Sequence, residues 1–242
     1  MPSGKNAYAE MPVNSETYKF EMPQLIHQPM IVAVDVSKSM DLTEEGQQKT
    51  NLKLAEDMLN QVGQTPELTE EYKKTTDFCV MAFSDDVTTE KDWMPLAEYH
   101  GGITLNKVGM TAFHNVVKQS LNAVHAIKGS YKTKGIQCKR PQIFVITDGC
   151  STDGGSVVTE AKELCKKYVD TNRVALHVIL LPGGTTSDAE QLSSKIKLYK
   201  VDDCAYGLTA IKDFINASIV GFCFYGSVPG VNAQDGEEDT WD

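Results

Sequence analysis

The sequence predicts an α/β fold: a doubly wound, mostly parallel sheet with one antiparallel edge strand and helices on both faces. Three observations predict it. Strand-like and helix-like patterns alternate along most of the 242 residues, as in chains built from strands joined by crossover helices. Several strand candidates, Val174–Leu181 above all, are nearly continuous apolar runs, as strands covered on both faces must be. Two of these runs, Met30 to Val34 and Gln142 to Thr147, lead directly into an aspartate, Asp35 and Asp148. In open α/β sheets ligands gather at the carboxyl ends of parallel strands, so both carboxylates stand where a site is expected.

The elements follow in order. Met30 to Val36 is the first strand. A helix from Thr43 or Glu44 to Val62 carries Leu52, Ala55, Met58, Leu59 and Val62 on one stripe. Asp77 to Phe83 is the second strand, and Val87 to Trp93, after the turn Ser84-Asp85-Asp86, is the antiparallel edge. A second helix follows Thr111 with Phe113, Val116, Val117, Leu121 and Val124 at helical spacing. The strand Gln142–Thr147, a helix from Ser156 to Val169 and the buried strand Val174–Leu181 come next. Thr186-Ser187-Asp188 reads as the cap of a short helix reaching Ser194. Lys197 to Val201 is a last edge strand, and Leu208 to Val220 a final helix. No internal repeat is visible. Around this domain, placed at residues 25–225, lie a polar arm at 1–24 and an acidic tail at 226–242 that reads as disordered.

The hydrophobic fraction is 41% and the charged fraction 23%, ordinary for a soluble globular chain. A net charge of −10 argues against nucleic-acid binding, since little would neutralise a polyanion. The basic run between Lys128 and Arg140 reads as a solvated loop. The N-terminus has no basic segment followed by an apolar stretch, and no run of about 18 apolar residues occurs, so neither a signal peptide nor a membrane span is expected and the chain reads as cytoplasmic. The six cysteines show no C-x-x-C spacing and read as reduced thiols.

The chemistry concentrates in three places. Asp35-Val36-Ser37-Lys38-Ser39 puts a carboxylate and two hydroxyls just past a strand end. Gly109-Met110-Thr111 offers one more hydroxyl at a helix start, and Asp148-Gly149 ends another strand. Such hard oxygens suit Mg²⁺, with Mn²⁺ and Ca²⁺ also compatible, and not metals that prefer thiolate or imidazole. The alternative is that the carboxylates and hydroxyls merely cap strand ends and turns.

With D-x-S-x-S, then T, then D in that order, the chain resembles the von Willebrand factor A (VWA) family over about residues 28–220. That family assembles its metal-ion-dependent adhesion site (MIDAS) from these three pieces. The resemblance implies a Rossmann-like fold and a cation held by Asp35, Ser37, Ser39, Thr111 and Asp148. It also implies a protein partner whose acidic side chain completes the coordination, and a binding rather than catalytic role. Lys38 stands where the family commonly has glycine, and Met110 replaces the second glycine of the common G-G-T loop. Neither change removes a ligand oxygen; the sequence leaves open whether Lys38 faces the ion or solvent. Lys38, Met110, His114, Cys150 and Ser151 are expected on the partner-facing rim. Ala82-Phe83-Ser84-Asp85-Asp86 and the threonine loop are similar to tellurite-resistance and stress-response members, which implies a signalling or stress-response scaffold.

Two other readings compete. A metal-dependent hydrolase or phosphotransferase could use the same oxygens, but a haloacid-dehalogenase-like enzyme needs a second aspartate where Ser37 stands. No P-loop or dinucleotide glycine motif is present either, and no general base is evident. A metal-independent scaffold could bind through the acidic tail and Trp241. The sequence does not fix the oligomeric state.

Overall fold

The computed structural model describes residues 18–43, 48–106, 109–220 and 231–233. Its centre is one sheet. The parallel strands β1 (Gln28–Asp35), β2 (Thr76–Phe83), β4 (Gln142–Thr147), β5 (Ala175–Leu180) and β6 (Lys197–Val201) are flanked by antiparallel β3 (Val87–Pro95) and by a short β7 (Val231–Ala233). The order is β3-β2-β1-β4-β5-β6-β7. The predicted sheet with its antiparallel β3 edge is therefore present. β6 is not its other edge, because Val231–Ala233, from the segment expected to be a disordered tail, pairs with Tyr199–Val201. The rest of that tail, Trp241 included, lies outside the described residues.

Side chains alternate across a strand, so each central strand feeds two cores. Met30, Val32 and Val34 join one apolar cluster with Leu52, Ala55 and Leu59 of α1 (Asn51–Leu59) and Leu208, Ile211, Ile215 and Ile219 of α6 (Cys204–Val220). Ile31 and Ala33 face the other, with Val117, Leu121 and Val124 of α3 (Phe113–Lys134) and Ala161 and Cys165 of α4 (Ser156–Tyr168). Every residue of β1 is buried. Burial on both faces is why its sequence reads as an unbroken apolar run.

Several boundaries differ from the expectation for identifiable reasons. α1 begins at Asn51, because the Thr50 hydroxyl accepts the Lys53 N–H at 3.2 Å and fixes the N-cap there. Of the two expected starts, Thr43 is not helical and Glu44 lies outside the described residues. α2 (Glu70–Thr75), capped by Thr69, is too short to show a periodic stripe. The short helix α5 spans Ser187–Glu190 and makes no side-chain cap with Thr186; the Asp188 carboxylate instead accepts the Ser151 N–H at 2.6 Å. His177, in β5, is 3% exposed and stacks on Phe144. Burial, with Lys197 and Arg140 nearby, holds it well below the usual histidine range.

β1 pairs with β2 on one side and β4 on the other. Chain direction around the sheet reverses between β1 and β4, the point in open α/β sheets at whose carboxyl ends ligands gather. Both β1 and β4 end there in the residues that carry the site.

Candidate metal centre

Asp35 is the last residue of β1 and is 0% exposed. One carboxylate oxygen accepts the Ser37 N–H at 2.8 Å and the other accepts the Thr147 hydroxyl at 2.6 Å. These bonds turn the chain sharply, so that the next hydroxyls stack over the strand end. Ser37 Oγ lies 3.0 Å from Ser39 Oγ, and Ser39 donates to Asp148 Oδ1 at 2.8 Å. Asp35, Ser37, Ser39 and Asp148 thus form one connected cluster, three of them buried and Ser39 half-buried.

Thr111, 5% exposed, reaches the same place. A methyl group added at Gly149 would sit 2.8 Å from Thr111 Oγ1, which puts the threonine hydroxyl directly against the Asp148-Gly149 turn. Its loop is fixed from two sides. The Met110 N–H donates to Asp85 at 2.9 Å and the Ala112 N–H to the Ser84 carbonyl at 2.7 Å. On the other side the Thr152 N–H donates to the Thr111 carbonyl at 2.8 Å. Gly109 adopts φ +60°, and an added Cβ would lie 2.1 Å from Asp85, so this position requires glycine.

Burial raises the pKa of both Asp35 and Asp148. Hydrogen bonds from Thr147 and Ser37 counter this at Asp35, to which the Asp148 charge adds a further upward push. At Asp148 the counterweights are Ser39 and Asn51. Among the described residues no lysine or arginine forms an ion pair with either. Two buried carboxylates with neutral hydroxyl neighbours are a site whose missing charge is positive.

The rim residues separate. Lys38 and Cys150 are exposed, Met110 is 56% exposed, and Ser151 is half-buried. Lys38 makes no ion pair among the described residues, so its ammonium is not held at the carboxylates. His114 lies beneath the rim, 2% exposed, and this corrects its expected partner-facing position. Its Nδ1 is 2.5 Å from Asp153 and 2.9 Å from Ser151, and its Nε2 is 2.6 Å from Gln191. Asp153 also accepts the Asn115 N–H at 2.7 Å and so caps α3 from a neighbouring loop. Burial pushes the Asp153 carboxyl up, but hydrogen bonds from His114, Ser151 and Asn115 outweigh it and hold the carboxyl below the usual range.

Sequence reasoning missed Thr147, Asn51, Asp85 and Asp153. Thr147 alone left a signal: β1 and β4 pair with Val34 opposite Ile146, so the residue before Asp148 falls beside Asp35.

The donor set fits a hard divalent cation: two carboxylates and three hydroxyls, with no nitrogen or sulfur among them. Among the described residues no group of three or more His, Cys, Asp or Glu is arranged to hold a metal; the cluster here draws three of its five oxygens from hydroxyls. Substituting Gly149 with alanine should rotate the Thr111 hydroxyl away at little cost in stability. Divalent-cation affinity is then expected to fall about tenfold with an unchanged melting temperature, measured by titration calorimetry and thermal denaturation.

No protein-family model and no curated protein sequence matches the chain. Solved structures share its fold at low identity. Proximal thread matrix protein 1 from the mussel byssus aligns with a TM-score of 0.53 and 18% identity, over 79% of this chain and 47% of its own. This chain therefore spans about half the length of the mussel protein. The conserved hypothetical protein BatB from Bacteroides thetaiotaomicron aligns with a TM-score of 0.53 and 17% identity, over 80% and 99% of the two chains. An aerotolerance-related membrane protein from Bacteroides fragilis gives 0.52 and 17%, over 78% and 98%. Another structure of the mussel protein, at a TM-score of 0.51, has a zinc-occupied MIDAS motif. The fold that this chain shares with these structures is the Rossmann-like α/β fold of the von Willebrand factor A type.

Proposed function

We propose that the chain is a metal-dependent protein–protein interaction module. Asp35, Ser37, Ser39, Thr111 and Asp148 hold a divalent cation, Mg²⁺ in use, and an acidic side chain of a protein partner completes its shell. The observation that carries this reading is the connected cluster Asp35–Ser37–Ser39–Asp148. It offers two negative charges to a doubly charged ion, and its other ligands are neutral hydroxyls, so the ion is balanced without an excess of negative charge and keeps a coordination position that a partner carboxylate can fill. The zinc-occupied MIDAS motif of the mussel protein, which shares this fold, supports a divalent ion as the ligand of such an oxygen cluster.

The surroundings support binding over catalysis. His114, the histidine beside the site, is committed to Asp153 and Gln191 and is not free to act as a general base. The rim carries the exposed apolar side chains Leu42 and Met110, at 64% and 56% exposure, together with exposed Lys38. Such a rim suits a protein ligand whose acidic residue is flanked by apolar ones. No described helix is long and apolar enough to cross a membrane. We place the module in a cytoplasmic stress-response or signalling scaffold, without nucleic-acid binding.

The test is affinity capture from native lysate with wild type and Asp35→Ala, each in Mg²⁺ and in chelator, after circular dichroism confirms both are folded. A partner retained only by wild type in Mg²⁺ is expected. Identical captures in all four conditions would sink the metal-bridged mechanism and turn attention to another surface.

A further inference from the structure

Both polar groups of the peptide joining Thr111 to Ala112 are pinned. The Ala112 N–H donates to the Ser84 carbonyl at 2.7 Å, and the Thr111 carbonyl accepts the Thr152 N–H at 2.8 Å and the Thr152 hydroxyl at 3.0 Å. A peptide is planar, so bonds at its two ends fix its orientation and the direction from which the Thr111 side chain leaves the backbone. Thr152 is itself exposed, so its position depends on its neighbours.

Those neighbours are anchored on two helices. Ser151 donates its N–H to Asp188 of α5 at 2.6 Å. Asp153 accepts the Asn115 N–H of α3 at 2.7 Å and lies 2.5 Å from His114 Nδ1. His114 Nε2 lies 2.6 Å from Gln191 Nε2, at the C-cap of α5. A carboxylate only accepts and an amide nitrogen only donates, so one tautomer satisfies both contacts: Nδ1–H donates to Asp153, and Nε2 accepts from Gln191. The ring is 2% exposed, and it bridges the loop and α5 with a donor at one end and an acceptor at the other.

Resting on the metal-centre reading, we infer that His114 is a positioning residue of that centre: by spanning Asp153 and Gln191 it keeps Thr152 on the Thr111 carbonyl and so aims the Thr111 hydroxyl. α5 thereby becomes part of the frame of the site. Coupling of this kind is reciprocal, so an ion that needs Thr111 in place also stabilises α5.

The experiment is calorimetric titration of the full chain with Mn²⁺, using wild type, His114→Phe, His114→Gln and Asp77→Ala, with thermal melts in chelator for each. Phenylalanine keeps a ring and drops both bonds, whereas glutamine keeps a donor and an acceptor. Asp77→Ala removes a buried carboxylate at the start of β2, at the end of the strand opposite the cluster, and controls for lost stability alone. His114→Phe is expected to weaken Mn²⁺ binding about fivefold, less than the loss of a partner bonded directly to a ligand. His114→Gln should recover most of that, and Asp77→Ala should leave the affinity unchanged. If His114→Phe does not fold, Thr152→Ala, which strips an exposed hydroxyl from the Thr111 carbonyl, carries the comparison and should weaken binding in the same direction. Unchanged affinity in His114→Phe, or equal weakening in His114→Phe and Asp77→Ala, would overturn the assignment. Amide hydrogen exchange reads the coupling: Mg²⁺ should slow exchange across residues 185–191 of the wild type, and no response there would also overturn it. A wild type that binds no Mn²⁺ would refute the metal centre itself, an outcome distinct from these.

Discussion

Replacing Asp35 with alanine is expected to lower Mg²⁺ and Mn²⁺ affinity by ~100-fold or more, since loss of a single outer-shell partner alone costs ~10–100-fold. Asp35 accounts for half of the carboxylate charge in the cluster, and its two oxygens set the turn that places Ser37 and Ser39. Titration calorimetry reads the loss. Asp35→Asn separates charge from shape. It should bind the ion almost as poorly, yet in chelator it should melt at or above the wild-type temperature, because the metal-free protein buries this carboxylate against Asp148 without a counter-cation. An Asp35→Asn protein that loses stability in chelator while retaining full Mg²⁺ affinity would contradict the assignment.

The second large effect lies at the other end of the sheet. Asp77, at the start of β2, is 0% exposed and accepts three side-chain hydrogen bonds, from His27 at 2.8 Å and from the Tyr18 and Tyr131 hydroxyls. Phe20 packs on Tyr18, His27 and Tyr131, so this carboxylate ties the segment from Tyr18 to His27 onto the domain. Asp77→Ala would leave the buried His27 and Tyr131 without their acceptor. Breaking a buried pair from one side costs about 3–5 kcal/mol, and the melting temperature is expected to drop on the order of 10 °C. Divalent-cation affinity should be unchanged, because the cluster at the opposite strand ends makes no contact with Asp77.

The same pair gives a pH dependence. Burial pushes His27 down, but the hydrogen bond and charge of Asp77 outweigh it, so the histidine titrates above its ordinary value. A raised folded-state pKa means that its stabilisation is complete below the unfolded value of about 6.5 and is lost as pH rises through the folded value. Tyr18, Tyr131 and Cys138 are the other titratable groups around it, and burial raises all three. Wild-type stability should therefore fall over this range on the alkaline side of pH 6.5, and His27→Gln should lack that slope in denaturant unfolding.

How much of this was legible in the sequence follows from how local each signal is. The strand before Asp35 is buried on both faces, so its apolar run and the carboxylate that ends it stand next to each other in the chain. The same holds for Gln142–Thr147 and Asp148, which is why fold class and the two aspartates that end these strands could be read without coordinates. Asn51 could not. It helps to hold the Asp148 carboxyl down because α1 starts where Thr50 caps it, and an asparagine inside a predicted helix carries no mark of such a neighbour. Asp85 and Asp153 act on loops 25 and 39 residues away, as contacts that no periodicity encodes. His114 looked exposed because the first turn of a helix usually is; the Asp153 loop folding over it is a tertiary event. β7 was invisible for a similar reason, since three residues pairing with the Tyr199–Val201 edge leave too short a pattern to detect.

On the proposed function, one divalent cation sits where the carboxyl ends of β1 and β4 meet the threonine loop. Anomalous diffraction from crystals grown with Mn²⁺ tests it most directly. One strong anomalous peak is expected, bounded by the Ser37, Ser39 and Thr111 hydroxyls and the Asp35 and Asp148 carboxylates and absent from Asp35→Ala crystals. A peak elsewhere in the molecule, or none at these side chains at saturating Mn²⁺, would contradict it.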